Sequence, residues 1–309
     1  MSIFAVFFAT LAVFSPVYQY LASAIIPTTH TEPPAQATVL FGGDMMFDRT
    51  VRTAIKWKGE DFVFSCLDPL LHEQDLVVAN LEGPITPFAS LSATSTPGDA
   101  FNMTFTFPLS TADMLYRHNI RIVNLGNNHI GNFGVGGMRS TMDILTAADV
   151  DYFGDPLSQR VALAHVHGLP IALINYNEFA GGSTELLAST TISQIKYARA
   201  GGYIPLVYTH WGIEYATTAP PYIRDLAHTF VDAGAEAVIG SHPHVVEDHE
   251  LYQGKYIYYS LGNFIFDQYW YDDVRHGLLL QMTFTATGTQ SVIEIPIELK
   301  RDGTTCPIE

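Results

Sequence analysis

The chain has 309 residues, 48% of them hydrophobic and only 15% charged, with a formal net charge of −16. That length suits one large α/β domain, and the apolar content supports a large buried core and argues against disorder. A surface this acidic repels phosphate backbones, which excludes nucleic-acid binding from the expected functions but leaves divalent cations open.

In chain order, the opening MSIFAVFFATLAVFSPVYQYLASAIIP contains no Lys, Arg, Asp or Glu, and the first basic side chain is Arg49. Residues 1–26 read as a signal peptide or membrane anchor, and Ala22–Ala24 resembles a signal-peptidase site. No basic flank is present, so the positive-inside rule sets no orientation. Pro16, Gln19 and Ser23 interrupt the stripe that a buried amphipathic helix needs. Residues 27–36 follow as a proline-containing polar linker, and residues 37–309 as one globular domain. The expected location is extracytoplasmic, either anchored or secreted. Cys66 and Cys306 have no metal-type spacing; one disulfide and two buried thiols are both compatible with the sequence.

Within the domain, apolar β-branched runs that end in polar residues recur: ATVLFGGD, DLVVANLEG, IRIVNLGNNH, YIPLVYTHWG and AEAVIGSHPH. Such runs read as buried strands. Helical patterns, GGMRSTMDILTAAD and PPYIRDLAHTFVDAG, lie between them. The second opens with Pro220 and Pro221 and closes at Gly234, residues suited to a helix start and a C-cap. From Lys255 onward the chain is mostly strand-like. This alternation predicts a layered α/β fold.

Ligands of such folds bind beyond the carboxyl ends of the strands. Here the runs end in Asp44, Glu82, Asn127-Asn128-His129, His210, and then His242 and His244. Taken singly, each has an ordinary reading. Asp44, Asn127 and Asn128 suit caps or turns, Glu82 suits a solvent-facing acid, and His129 and His210 suit satisfied polar groups. Their joint occurrence at successive strand ends points to metal chemistry. Pro243 biases His242 towards extended geometry, and residues i and i+2 of an extended segment face the same way. Both imidazoles are therefore expected to converge on a metal ion or on an anion beside one. Carboxylate, amide oxygen and imidazole without thiolate suit zinc, manganese or iron.

Six stretches occur together in a recognisable order: GGDMMFDR (Gly42–Arg49), NLEGPIT (Asn80–Thr86), NLGNNHIGNFGVGG (Asn124–Gly137), THWGIEY (Thr209–Tyr215), GSHPHVVE (Gly240–Glu247) and YSLGNFIFDQ (Tyr259–Gln268). Over roughly residues 38–270 the sequence resembles the CapA family of poly-γ-glutamate capsule biosynthesis proteins, relatives of the calcineurin-like metallophosphoesterases. The resemblance implies a four-layer αββα sandwich with a centre for two divalent metal ions, Mn, Zn or Fe, at one edge. It implies Asp44 as the acid of the first motif, Glu82 as a bridging carboxylate and Asn128 as a metal-binding amide. His210 and His242 would ligate one ion and His244 the other. His129 would act on the substrate as general acid, with Arg49 and Asn127 contacting it. Three positions depart from the phosphoesterase pattern: Met46 stands where Asp-x-His has histidine, Glu82 replaces an aspartate, and Asn132 stands where an acid is common.

The function so implied is capsule polymer synthesis or export, with a metal-dependent hydrolase centre of phosphoesterase type. Its partners would be an anionic envelope polymer or a phosphoester substrate, the membrane through the N-terminal segment, and capsule synthesis or export subunits. The alternative is a non-catalytic anchored subunit that binds polymer or partner proteins on a degenerate phosphoesterase fold. The aromatic stretch FDQYWYDD either lines a substrate groove or closes the fold.

Overall fold

The computed structural model describes residues 35–308, so the apolar N-terminal segment and nearly all of the linker lie outside the described residues. Among the described residues, no helix is long and apolar enough to cross a membrane.

Two sheets form the centre of the fold. The first has eight strands. Its order is β14 (Thr305–Pro307), β13 (Gly288–Leu299), β12 (His276–Thr285), β1 (Gln36–Met45), β2 (Leu76–Leu81), β3 (Ile120–Asn124) and β4 (Asp151–Phe153), with β11 (Asn263–Ile265) also pairing with β1. The second has six: β5 (Ala162–Val166), β6 (Leu169–Asn177), β7 (Ile204–His210), β8 (Ala237–Ser241), β10 (Lys255–Tyr258) and β9 (His249–Tyr252). Helices α1 (Arg49–Lys58), α2 (Asp68–His72), α3 (Thr111–Arg117) and α4 (Gly134–Ala147) cover the first sheet. Helices α5 (Thr184–Ala200) and α6 (Pro221–Asp232) cover the second. The layers are therefore α, β, β, α.

Strand composition follows from this layering. On β1, Val39 and Phe41 enter the core between the sheets, while Leu40 enters the core under the helices. On β7, Leu206 and Tyr208 face the inter-sheet core and Val207 faces α5 and α6. A strand buried on both faces reads as a continuous apolar run instead of an alternating one. Pro220 precedes α6 as its N-cap, Pro221 is its first residue, and Gly234 follows at φ +114°, the left-handed position that ends a helix. Cys66 and Cys306 form a disulfide that ties the start of α2 to β14 across 240 positions of sequence.

Two features bring the sheets close at one edge. Tyr208 donates its hydroxyl proton to the Gly42 carbonyl at 2.7 Å. A Cβ on Gly43 would lie 1.8 Å from the Gly262 carbonyl oxygen, so β1 can pass that loop only with glycine there.

Candidate metal centre

Parallel register assembles the site. Asp44 on β1 lies opposite Asn80 on β2 and Asn263 on β11, Asn80 lies opposite Asn124 on β3, and His210 on β7 lies opposite Ser241 on β8. Asp44, Asn80, Asn124, His210 and Ser241 sit at or next to the carboxyl ends of their strands, whereas Asn263 opens β11. Asp44, Glu82 and His210 are fully buried there and bring ligand atoms within 4.8 Å of one another.

The remaining candidates close around them. His244 places Nδ1 at 3.3 Å from Asp44 Oδ2 and Nε2 at 3.6 Å from Glu82 Oε1. The His242 ring stands 4.8 Å from the ring of His210 and 6.0 Å from that of His244, and its backbone N–H donates to Asp44 Oδ2. Asn128 Oδ1 lies 3.0 Å from His210 Nε2. His129 Nε2 approaches Glu82 Oε1 at 4.0 Å.

The two imidazoles of His-Pro-His do converge, but not by the expected route. His242 and His244 adopt φ +102° and +60°, left-handed conformations that non-glycine residues rarely take. The segment is a bend and not an extended strand, so its geometry corrects the inference from Pro243. Such backbone strain costs about 1–3 kcal/mol per residue and persists where the surroundings impose it, commonly at functional sites.

Asn127 also requires correction. It was expected to touch substrate, yet its amide nitrogen donates to Asn80 Oδ1 and the Leu81 carbonyl, and its oxygen accepts from the backbone N–H of His129 and Ile130. With all its polar capacity used internally, Asn127 positions the loop that carries His129. Arg49, expected to meet an anionic group, forms an ion pair with Asp267 that leaves its side chain 9% exposed. Met46 is fully buried in the helix-side core, with its sulfur accepting from the Asp48 backbone N–H.

Asn132 replaces the common acid without losing its structural effect. Its Oδ1 accepts from His129 Nδ1–H at 3.3 Å and from the Phe105 N–H at 2.8 Å, which turns His129 Nε2 towards Glu82. Burial pushes His129 down to about 4, with the neighbouring His244 acting in the same direction. Its imidazole is therefore neutral at neutral pH.

Sequence reasoning assigned no role to Asn80 and Asn263. Asn80 donates to Asp44 Oδ1 at 2.8 Å and Glu82 Oε2 at 3.3 Å. Asn263 sends its amide protons towards Gln268 Oε1 and the carbonyls of His244 and Val274, so its Oδ1 must accept from His244 Nδ1–H. The signal for Asn80 was its place in NLEGP, two residues before Glu82; Asn263, in LGNF, has no candidate ligand near it in sequence.

This network decides what the centre can hold. With Nδ1 of His244 committed to Asn263, its Nε2 presents a lone pair to Glu82 Oε1, and neither atom has a hydrogen-bond partner. His242 Nδ1 is likewise buried without a partner. Two carboxylates about 4–5 Å apart repel by about 3–4 kcal/mol at an effective dielectric near 20. Burial and then the Asp44 charge push the Glu82 carboxyl well above its ordinary range. Burial would also raise Asp44, but its contacts with the imidazoles of His244 and His210 and with the Asn80 amide outweigh it and hold Asp44 well below that range. Burial holds His210 well below the ordinary imidazole range and His242 down at about 3. The site thus offers neutral imidazoles at His210 and His242 and crowded carboxylate oxygens that need a shared positive charge. Buried, unpartnered donor atoms of this mixed N/O type fit a divalent transition metal or zinc.

Comparison with known proteins agrees with this architecture. The sequence profile of the family described as bacterial capsule synthesis protein PGA_cap matches residues 38–268. The PGA biosynthesis protein CapA of Bacillus subtilis is 28% identical over 94% of this chain and 79% of its own length. The capsule biosynthesis protein CapA of Bacillus anthracis is 28% identical over 92% of this chain and 72% of its own. Among solved structures, one described as a novel phosphatase of Mycoplasma pneumoniae superposes with a TM-score of 0.56, covering 86% of this chain and 95% of that one at 11% identity. At that identity the superposition speaks for the fold alone: two sheets flanked by helices.

Proposed function

The chain belongs to the PGA_cap family of bacterial capsule synthesis proteins, and on that premise we propose that it serves poly-γ-glutamate capsule synthesis or export through a metal-dependent hydrolytic centre. The observation that carries this reading is the meeting of partnerless Glu82 Oε1, His244 Nε2 and His242 Nδ1 beside Asp44 and His210. Two divalent ions, Mn, Zn or Fe, would be held by Asp44, Glu82, Asn128, His210, His242 and His244. They would supply Lewis acidity that polarises a phosphoryl or carbonyl oxygen.

The protein's own groups do the rest. Asn80 and Asn263 orient Asp44, Glu82 and His244. Asn132 keeps the tautomer of His129 that is protonated at Nδ1, so its neutral Nε2 faces the reacting side as a proton acceptor at neutral pH, in place of the general-acid role that the resemblance implies. Arg49 adds positive charge near Glu82 and His129. The substrate is a phosphoester or an amide or ester bond of an anionic envelope polymer. An extracytoplasmic location, with the N-terminal segment as anchor or leader, is part of the proposal; a disulfide persists in such a compartment.

The test is hydrolysis of poly-γ-glutamate and of a phosphoester panel by metal-loaded protein, alongside His129→Ala. Turnover that falls at least about 100-fold in the variant at unchanged metal content supports the role; unchanged turnover removes His129 from it. A second reading, an anchored subunit without turnover, is favoured by Met46, which offers no nitrogen or oxygen ligand where the first motif ordinarily has one. Bound metal without hydrolysis of any substrate selects that reading.

A further inference from the structure

Beside the centre runs a cleft of about 600 Å³ whose lining includes Arg49, Ser95, Asn102, Asp267, Trp270 and Arg301. Its two arginines differ. Arg49 is ion-paired with Asp267 and also reaches Asn102 Oδ1 at 3.4 Å. Arg301 is exposed and donates one N–H to the Tyr269 carbonyl at 3.2 Å, with its guanidinium 5.6 Å from the Tyr269 ring centroid. Among the described residues no carboxylate pairs with it, in contrast to Arg52, Arg224 and Arg275. In a chain with 31 acidic and 15 basic side chains, an arginine held against a ring with its fork uncompensated is a ready anion contact.

An aromatic ridge joins this cleft to the centre. Trp270 lines the cleft, is 53% exposed and lies 6.4 Å from the Tyr215 ring. Tyr215 lies 6.4 Å from the His244 ring and is held at φ +66° by its N–H bond to the Pro243 carbonyl. Exposed Tyr271 flanks Tyr215 at 6.2 Å. Large exposed aromatics contiguous with a polar cleft mark a ligand surface.

We propose that this cleft is a second subsite, in which Arg301 binds an oxyanion of an extended anionic chain while Trp270 and Tyr215 pack against the chain on its way towards the metal centre. It deepens the reading of the centre as one acting on an anionic polymer and rests on that reading for direction. The recognised chemistry is an acidic group several bonds from the reacting one, so affinity rises with chain length. The acidic group is a carboxylate or a phosphate.

The test is fluorescence anisotropy on the full chain with two labelled probes, octaglutamate and an eight-unit linear polyphosphate, competed by glutarate and inorganic phosphate. Parent, Arg301→Ala, Arg301→Lys and Trp270→Ala are compared with and without EDTA, and bound metal is counted separately. At least one octamer is expected to bind, about tenfold more weakly to Arg301→Ala and Trp270→Ala, with partial recovery in Arg301→Lys and unchanged metal content. The probe that responds identifies the oxyanion. Arg301-dependent binding that survives EDTA supports the subsite even if the metal count is zero, which separates its fate from that of the centre. Equal affinities of parent and Arg301→Ala, no binding of either octamer, or displacement by glutarate and inorganic phosphate at octamer-like concentrations would each overturn the proposal.

Discussion

Asn263 offers a direct probe of how the centre is held. It is fully buried, and its Oδ1 fixes His244 Nδ1 at 3.0 Å while its amide nitrogen serves Val274 O at 2.9 Å, Gln268 Oε1 at 3.0 Å and His244 O at 3.2 Å. Asn263→Ala leaves those three acceptors and one donor without it. Each orphaned buried group costs about 1–3 kcal/mol, and some will find other partners, so a loss of about 3 kcal/mol is expected in urea unfolding with EDTA present. The His244 ring also loses its orientation. Removing such a support typically lowers metal affinity by about 10–100-fold. Asn263→Asp separates the two effects, because it keeps the acceptor for His244 Nδ1–H and loses the donor side. It should be destabilised yet retain Zn²⁺ or Mn²⁺ affinity within a few-fold of the parent in chelator competition. If folded Asn263→Ala binds metal as tightly as the parent, Asn263 does not orient a ligand and the tautomer assigned to His244 is wrong.

Other perturbations test neighbouring parts of the structure. Glu247 is buried with Oε1 unpartnered, and burial pushes its carboxyl from 4.5 up to about 8. Between those pH values the unfolded chain has lost a proton that the folded chain retains, so stability falls as pH rises, by a total on the order of 3 kcal/mol. Glu247→Gln should match the parent near pH 4.5 and exceed it by roughly that amount at pH 8.5 in urea unfolding; a pH-independent difference refutes the burial assignment. A Cβ at Gly240 would lie 1.8 Å from the Tyr259 carbonyl oxygen, so Gly240→Ala should cost about 3 kcal/mol or more; a melting temperature within 2 °C of the parent (roughly the shift expected from 1 kcal/mol) would contradict that packing. Replacing Cys66 and Cys306 with serine opens a loop of 240 positions and should cost about 2–5 kcal/mol, read as a lower urea midpoint than that of the oxidised parent.

Much of this arrangement is legible in the sequence, for identifiable reasons. β2, β7 and β8 are buried along their whole length and β1 and β3 along most of it, so each is a largely apolar run, and each run ends where the chain leaves the sheet. The residue types at those ends therefore name the site. The conformation of His-Pro-His is not legible that way. A proline biases local geometry by a small amount, and Asp44, Asn263 and the packing of Phe179 against His242 at 4.2 Å override it. Asn127 misleads for a related reason, since an exposed amide and one saturated by four internal bonds look alike in sequence. Helix α5 carries a mixed pattern rich in threonine and serine, and its place is set by packing of Ile195 and Ala198 on the second sheet. The pairing of Cys66 with Cys306 depends on β14 returning to the first sheet, which no local pattern announces.

The central claim is that Asp44, Glu82, Asn128, His210, His242 and His244 hold divalent metal. The most direct measurement is elemental analysis of the purified chain after loading with manganese or zinc and removal of free ion, beside a His242→Ala, His244→Ala double variant. Two equivalents in the parent, lost in the folded variant, are expected. No bound metal in the parent, or the same amount in both proteins, would contradict the claim.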